Sequence, residues 1–192
     1  MFKSKEVIAS IHNENTLRLA LELPEIHTLF LMTGDILNLK TMVEQVHQAN
    51  KRVFIHVDFV HGLSTDAKGI QYMARMIEPD GIISTRGQVI QLANRVELLT
   101  VQRLFLIDSN ALASGLKSVL ASTPDAVEAM PGLMPRVIRE LVCSLHVPIV
   151  SGGLFKTKSD LCEAFKAGAQ AVSTSSPNLW SKVTQLHNGK VS

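Results

Sequence analysis

The chain has 192 residues and a mass of 21.0 kDa, within the ~100–200 residues of an ordinary domain, so a single domain over residues 1–192 is expected. Hydrophobic residues at 46% and charged residues at 19% exclude a disordered chain, and 19 basic against 17 acidic side chains leave a net charge of +2, no electrostatic footprint of a nucleic-acid binder. Two cysteines without CxxC or Cys/His spacing, no apolar run of ~18 residues and no signal-peptide core exclude a disulfide scaffold, a zinc site and a membrane span, and point to a soluble cytoplasmic protein.

Taken in chain order, eight short β-rich runs alternate with stretches of helical period. The predicted strands are Val7–Ser10, Thr28–Met32, Val53–Asp58, Gly81–Ser84, Arg103–Asp108, Asp125–Met130, Pro148–Ser151 and Ala171–Thr174. Between them apolar residues recur at helical spacing, as in Ile36, Leu39, Met42, Val43 and Val46, or Leu133, Val137, Leu141 and Val142. Runs such as Leu104-Phe105-Leu106-Ile107 are apolar on both faces, as a parallel sheet covered by helices requires. Eight units of roughly 24 residues favour a compact (β/α)8 barrel over an open doubly wound sheet of five or six strands.

In such a barrel the chemistry sits at the C-terminal strand ends. Those ends carry Ser10-Ile11-His12-Asn13, Thr33-Gly34-Asp35, His56-Val57-Asp58, Ser84-Thr85-Arg86, Asp108-Ser109, Glu128, Ser151-Gly152-Gly153 and Ser173-Thr174-Ser175. Ser10, Thr33, Asp35 and Ser109 are read as helix N-caps, and the set as a whole outlines a polar mouth. PIVSGGL (148–154) and AVSTSS (171–176) match the barrel phosphate site. Glycines let backbone N–H groups approach the anion, and hydroxyls with a helix N-terminus complete the cradle. A tight turn alone would account for Gly152-Gly153; its pairing with a Ser/Thr cluster at the next strand end favours phosphate. Ser151, Gly152, Gly153, Ser173, Thr174 and Ser175 are therefore the candidate phosphate residues.

His56 and Asp58 share strand parity and can point the same way. With His61 they read H-x-D-x-x-H, but one strand-to-loop segment is poor geometry for three metal ligands, and no metal is expected. Asp58 suits a substrate hydroxyl better. Glu128, inside an apolar strand, needs a partner, for which Arg86 or a ligand hydroxyl is available. Arg86 itself fits a phosphate, a carboxylate or solvent. Gln102 and Arg103 open the predicted fifth strand and so fall on the opposite, structural face. Trp180 is expected to pack against a neighbour and the seven methionines to fill the core.

With these segments in view the sequence resembles the glycerol-3-phosphate responsive antiterminators, the glycerol uptake operon antiterminator regulatory proteins of bacteria. The stretches that carry the likeness are HVDFVHGLSTD (56–66), DGIISTR (80–86), VQRLFLIDS (101–109), PDAVEAMPG (124–132), PIVSGGL (148–154) and GAQAVSTSSPNLW (168–180). The first strand departs from the pattern: VIASIHN (7–13) stands where a basic residue is common, leaving His12 in that place. The resemblance implies a barrel that binds glycerol-3-phosphate as effector, with no cofactor, and binds the leader mRNA of a glycerol operon so that elongation passes a terminator. Laid over the motifs, the phosphate falls to the glycines and hydroxyls of the last two strand ends, with Asp58 and Glu128, flanked by His56 and Arg86, on the glycerol side. An enzyme acting on a small phosphorylated substrate (an isomerase, lyase or phosphodiesterase) is the competing reading. Against it, no predicted strand end carries a Schiff-base lysine. A homodimer is compatible with either, symmetric pairs being the commonest oligomers.

Overall fold

Apolar runs too short for helices, each followed by an amphipathic segment that can cover it, build a parallel sheet that closes on itself. The computed structural model of the chain describes residues 1–180. Its first half contains β1 (Glu6–Ile11), α1 (Glu14–Glu22), β2 (Thr28–Leu31), α2 (Leu39–Gln48), β3 (Arg52–His56), α3 (Ala67–Tyr72), β4 (Gly81–Ser84) and α4 (Gly87–Asn94). There follow β5 (Leu99–Phe105), α5 (Ser109–Ser122), β6 (Ala126–Met130), α6 (Pro135–Ser144), β7 (Ile149–Gly152), α7 (Lys158–Lys166), β8 (Ala171–Thr174) and α8 (Pro177–Trp180). All eight strands are parallel and pair in chain order, with β8 returning to β1: a closed (β/α)8 barrel. The expectation of one unit running to residue 192 extends past the described residues.

Strand parity sorts the side chains into two cores. Outward residues such as Val7, Leu29, Ile55, Ile82 and Val127 pack against the helices, with α2 contributing Leu39, Met42, Val43 and Val46. Ile36 precedes α2, and the expected α6 stripe is narrower than predicted, for Leu133 and Val142 are exposed while Ile138 and Leu141 are buried. Inward residues fill the barrel: Ile8, Phe30, Phe54, Ile83, Val101, Ala126, Val150 and Ala171, closed from below by Phe2. The rings of Phe2, Phe30 and Phe54 meet at 5.7–6.2 Å between centroids, tilted or edge-on, the arrangement aromatic quadrupoles favour.

Two sequence expectations shift. β5 begins at Leu99, four residues before the predicted start, and ends at Phe105, because Leu106 and Ile107 already belong to the turn into α5. Arg103 is thus an inward residue in the C-terminal half of the strand rather than a bottom-face opener. The helix caps also move: Asn13, not Ser10, caps α1 by accepting from the Thr16 amide, and Asp108, not Ser109, caps α5 by accepting from the Ala111 amide.

Candidate functional site

At the C-terminal end of the barrel the apolar filling gives way to charge. Arg103 and Glu128 are register partners on β5 and β6, both buried, and the Arg103 Nε donates to Glu128 Oε2 at 2.6 Å. Ser173 Oγ on β8 donates to the other carboxylate oxygen at 2.5 Å, so neither is left bare in a region where an unpaired carboxylate would be costly. A second arm of Arg103, Nη2, reaches the Met32 sulfur at 3.4 Å. Glu128 therefore finds its partner in Arg103, not in Arg86 as the strand-end order suggested.

Above this pair opens a cavity of about 120 Å³, lined among others by Ser10, His12, Arg103, Glu128, Gly153 and Ser173. It is well below the ~300–1,000 Å³ of pockets for drug-sized ligands. Burial, and then the Arg103 charge, hold the His12 imidazole below its usual pKa, so it enters the site as a neutral group. Of the expected phosphate residues, Gly153, Ser173, Thr174 and Ser175 line the cavity. Ser151 does not: it points outward and donates to the Gly132 carbonyl at 3.2 Å. Gly152 faces Glu128 and Ser173 at such close quarters that an added Cβ would sit 2.8 Å from Glu128 Oε1 and 2.5 Å from Ser173 Oγ. Gly153 adopts φ +79°, a left-handed backbone that glycine takes without strain and that turns β7 into the loop above the cavity. Trp180 is buried, and its indole N–H donates to the Thr174 carbonyl at 2.8 Å, bracing the end of β8.

His56, Asp58 and Arg86 gather in a different cluster, across the ends of β3 and β4. After His56 the chain enters a single 3-10 turn, Val57–Phe59, yet His56 and Asp58 remain side by side as strand parity suggests, with His56 Nδ1 3.8 Å from Asp58 Oδ2. Asp58 accepts from Ser84 Oγ at 3.0 Å, the Thr85 amide at 2.9 Å and Arg86 Nε at 3.0 Å. Arg86 also reaches Thr65 Oγ1 at 2.8 Å, so the loops after β3 and β4 are clasped together. Burial alone would raise the Asp58 pKa; the Thr85 amide, Arg86 and Ser84 outweigh it and hold the carboxyl below the usual range. His56 is 1% exposed, lies on the inward face of β3 and stacks on Phe59 at 4.2 Å between centroids. Neither ring nitrogen has a hydrogen-bond partner among the described residues. Burial, reinforced by Arg103 and opposed by Asp58, pushes its pKa down to about 4, so the ring is neutral at neutral pH. The H-x-D-x-x-H segment does not converge: His61 is exposed and its backbone bridges to Asp35. Among the described residues no cluster of three metal-ligating side chains occurs.

Sequence reasoning missed Met32 and above all Arg103 at the mouth, and took Ser10 there for a helix cap. A β5 started at Leu99 would have revealed Arg103, since Val101, Arg103 and Phe105 then alternate inward.

Among the described residues no helix is long and apolar enough to cross a membrane. Several solved structures share the fold at low identity, among them orotidine 5'-phosphate decarboxylase from Pyrococcus horikoshii (16% identical, TM-score 0.69, covering 95% of this chain and 97% of that one). Likeness is much greater to a glycerol uptake operon antiterminator regulatory protein of Listeria monocytogenes: 35% identity, TM-score 0.89, over 93% of this chain and 96% of that one. A glycerol uptake operon antiterminator-related protein of Thermotoga maritima follows at 30% identity and TM-score 0.82, over 94% and 99% of the two chains. The uncharacterised protein YgcP of Escherichia coli is 31% identical over 186 residues, 97% of either chain. The sequence profile of the glycerol-3-phosphate responsive antiterminators matches residues 7–180. With this match spanning the strands that build the mouth, the chain belongs to the glycerol-3-phosphate responsive antiterminator family.

Proposed function

We propose that this protein is a cytoplasmic regulator that binds glycerol-3-phosphate in the barrel mouth and, so loaded, binds the leader mRNA of a glycerol operon, promoting read-through of a terminator without turning its ligand over. Family membership supports the operon and RNA half. The effector half is carried by one feature: a buried arginine and carboxylate, the carboxylate tied also to Ser173, facing a small cavity at the barrel mouth. A three-carbon phosphate matches both signs of that pair. Arg103, the hydroxyls of Ser173, Thr174 and Ser175 and the backbone at Gly153 suit the anion, while Glu128 and the neutral His12 suit hydroxyl groups. Ser151, Asp58, Arg86 and His56 then act as supports of the mouth and not as first contacts, which revises their expected roles.

A regulator needs its ligand to favour one state over another, since equal affinity for both shifts nothing. The loops after β7 and β8 meet the cavity through Gly153, Leu154 and Ser175, and closing them on an anion would supply that difference. Calorimetric titration with glycerol-3-phosphate, followed by a gel-shift titration of leader RNA with and without it, tests the reading. Saturable heat and a ligand-dependent gain in RNA affinity are expected; equal RNA affinity in both conditions refutes it. Gly152→Ala should abolish the heat by pushing a methyl against Glu128 and Ser173, and unchanged binding would refute the assignment of the cavity. Turnover of any member of a panel of three- to five-carbon phosphates would favour the enzyme reading.

A further inference from the structure

The chain has nine aromatic side chains, and the fold distributes them unevenly. Phe2, Phe30, Phe54, Phe155 and Trp180 are buried, and Phe165 packs against the helical layer. Tyr72 stands on the outer helix α3. The remaining two, Phe59 at 47% exposure and Phe105 at 54%, are at the C-terminal ends of β3 and β5. Single exposed apolar side chains need no explanation. Here, however, both open phenylalanines are on the one face that holds the mouth, two strand positions or roughly 10 Å apart in the barrel. The strand between them, β4, leads two residues on to Arg86, whose half-exposed guanidinium is pinned by Asp58 and Thr65. Phe59 is pinned as well, by its stack on His56.

Two aromatic faces flanking a fixed guanidinium plane form the surface on which unpaired bases stack, because every base presents a π-face and Arg adds a cation to it. The same end of the barrel carries exposed basic side chains at the starts of outer helices: Lys68 on α3, Arg136 on α6 and Lys156 just before α7. Its carboxylates are engaged locally. Asp66 and Asp108 cap helices, Asp160 accepts from the Lys156 and Thr157 amides, and Asp58 holds Arg86. That balance suits a phosphate backbone running round the rim, which the overall charge of +2 conceals.

We propose that Phe59, Arg86 and Phe105 form a stacking platform for unpaired bases of the transcript leader, beside the effector cavity on the same barrel face. The proposal rests on the antiterminator reading above and adds the surface to it.

The test is a fluorescence-anisotropy titration of the full chain, saturated with glycerol-3-phosphate, against leader RNA. Phe59→Ala and Phe105→Ala should each weaken binding roughly 5- to 150-fold, the range for losing one base–aromatic stack. Phe105→Trp should restore the affinity, and Leu37→Ala, at a side chain 90% exposed on the loop after β2, should leave it within twofold. Unchanged RNA affinity in the Phe59→Ala/Phe105→Ala double variant, with wild type binding normally, overturns the platform and leaves the antiterminator reading standing. Wild type failing to bind leader RNA at saturating effector removes that reading and this one together. Sedimentation that shows the double variant losing a dimer, with RNA affinity intact, would assign the rim to a second copy of the chain and likewise overturn the proposal.

Discussion

The two layers of the barrel interior nearest the mouth are built on opposite principles. The lower of the two, the floor of the mouth, is hydrocarbon: three interlocking phenylalanine rings, Ile8, Val101 and Val150; beneath it Thr28 Oγ1 donates to the buried Glu6 at 2.6 Å and Arg52 reaches Thr28 at 3.0 Å. The upper layer holds Arg103, Glu128, Ser173, Ser10 and a histidine whose ring nitrogens have no hydrogen-bond partner among the described residues, groups that stabilise the fold only while each is paired or kept neutral. A floor of this kind supplies stability that is indifferent to ligand and pH. In the proposed reading the mouth makes stability and ligand binding depend on the same few atoms, a trade expected at a functional site.

The largest effect should come from breaking the mouth. Arg103→Met leaves Glu128 buried with one oxygen unpaired, which should cost about 3–5 kcal/mol in urea denaturation and abolish the calorimetric response to glycerol-3-phosphate. Arg103→Met combined with Glu128→Leu should recover most of the stability and none of the binding; recovery of binding would show the pair to be purely structural. At the floor, Phe54→Ala should cost a similar ~3–5 kcal/mol from cavity formation, yet the surviving folded protein should bind effector as before. If binding falls with it, the two layers are not independent.

The third expectation concerns pH. His56 is neutral in the folded protein down to about pH 4, while in the unfolded chain it takes a proton near pH 6.5. Its contribution to stability is thus present above 6.5 and is lost as the pH falls towards 4, by up to roughly 3 kcal/mol. Arg103 and Arg86 disfavour the charged ring and Asp58 favours it, so the net sign follows from burial and the arginines. His56→Phe should flatten the pH profile of urea unfolding between 6.5 and 4, and an unchanged slope would assign that slope to other groups. The smallest effect should be Asp108→Ala, which removes the α5 cap for about 1 kcal/mol and leaves effector affinity untouched.

The barrel was legible because its strands are short apolar runs with abrupt ends. Gly81–Ser84 and Ala171–Thr174 are bounded as the sequence predicts, each closed by polar residues that cannot enter the core. β5 was misplaced because Leu106 and Ile107 prolong the apolar run into the turn, and that slip hid Arg103 on the wrong face. Pairings across the barrel could not be read at all. Arg103 meets Glu128 across 25 residues, and Arg86 meets Asp58 across 28, through registers that only the closed sheet fixes. Parity puts His56 and Asp58 together, and they lie 3.8 Å apart; what it could not show is that the carboxylate's hydrogen bonds go to a clasp between loops while the imidazole stays inside. The sequence reads Gly152 and Gly153 as room for an anion; at Gly152 the group that leaves no space for a Cβ is the protein's own carboxylate, together with Ser173.

Phe2 plugs the barrel from below, and the backbone around it is stapled in place: Arg52 reaches the Met1 carbonyl and Gln170 the Phe2 carbonyl. Proteolytic trimming of the first few residues would therefore uncork the cylinder and admit solvent beneath Phe30 and Phe54.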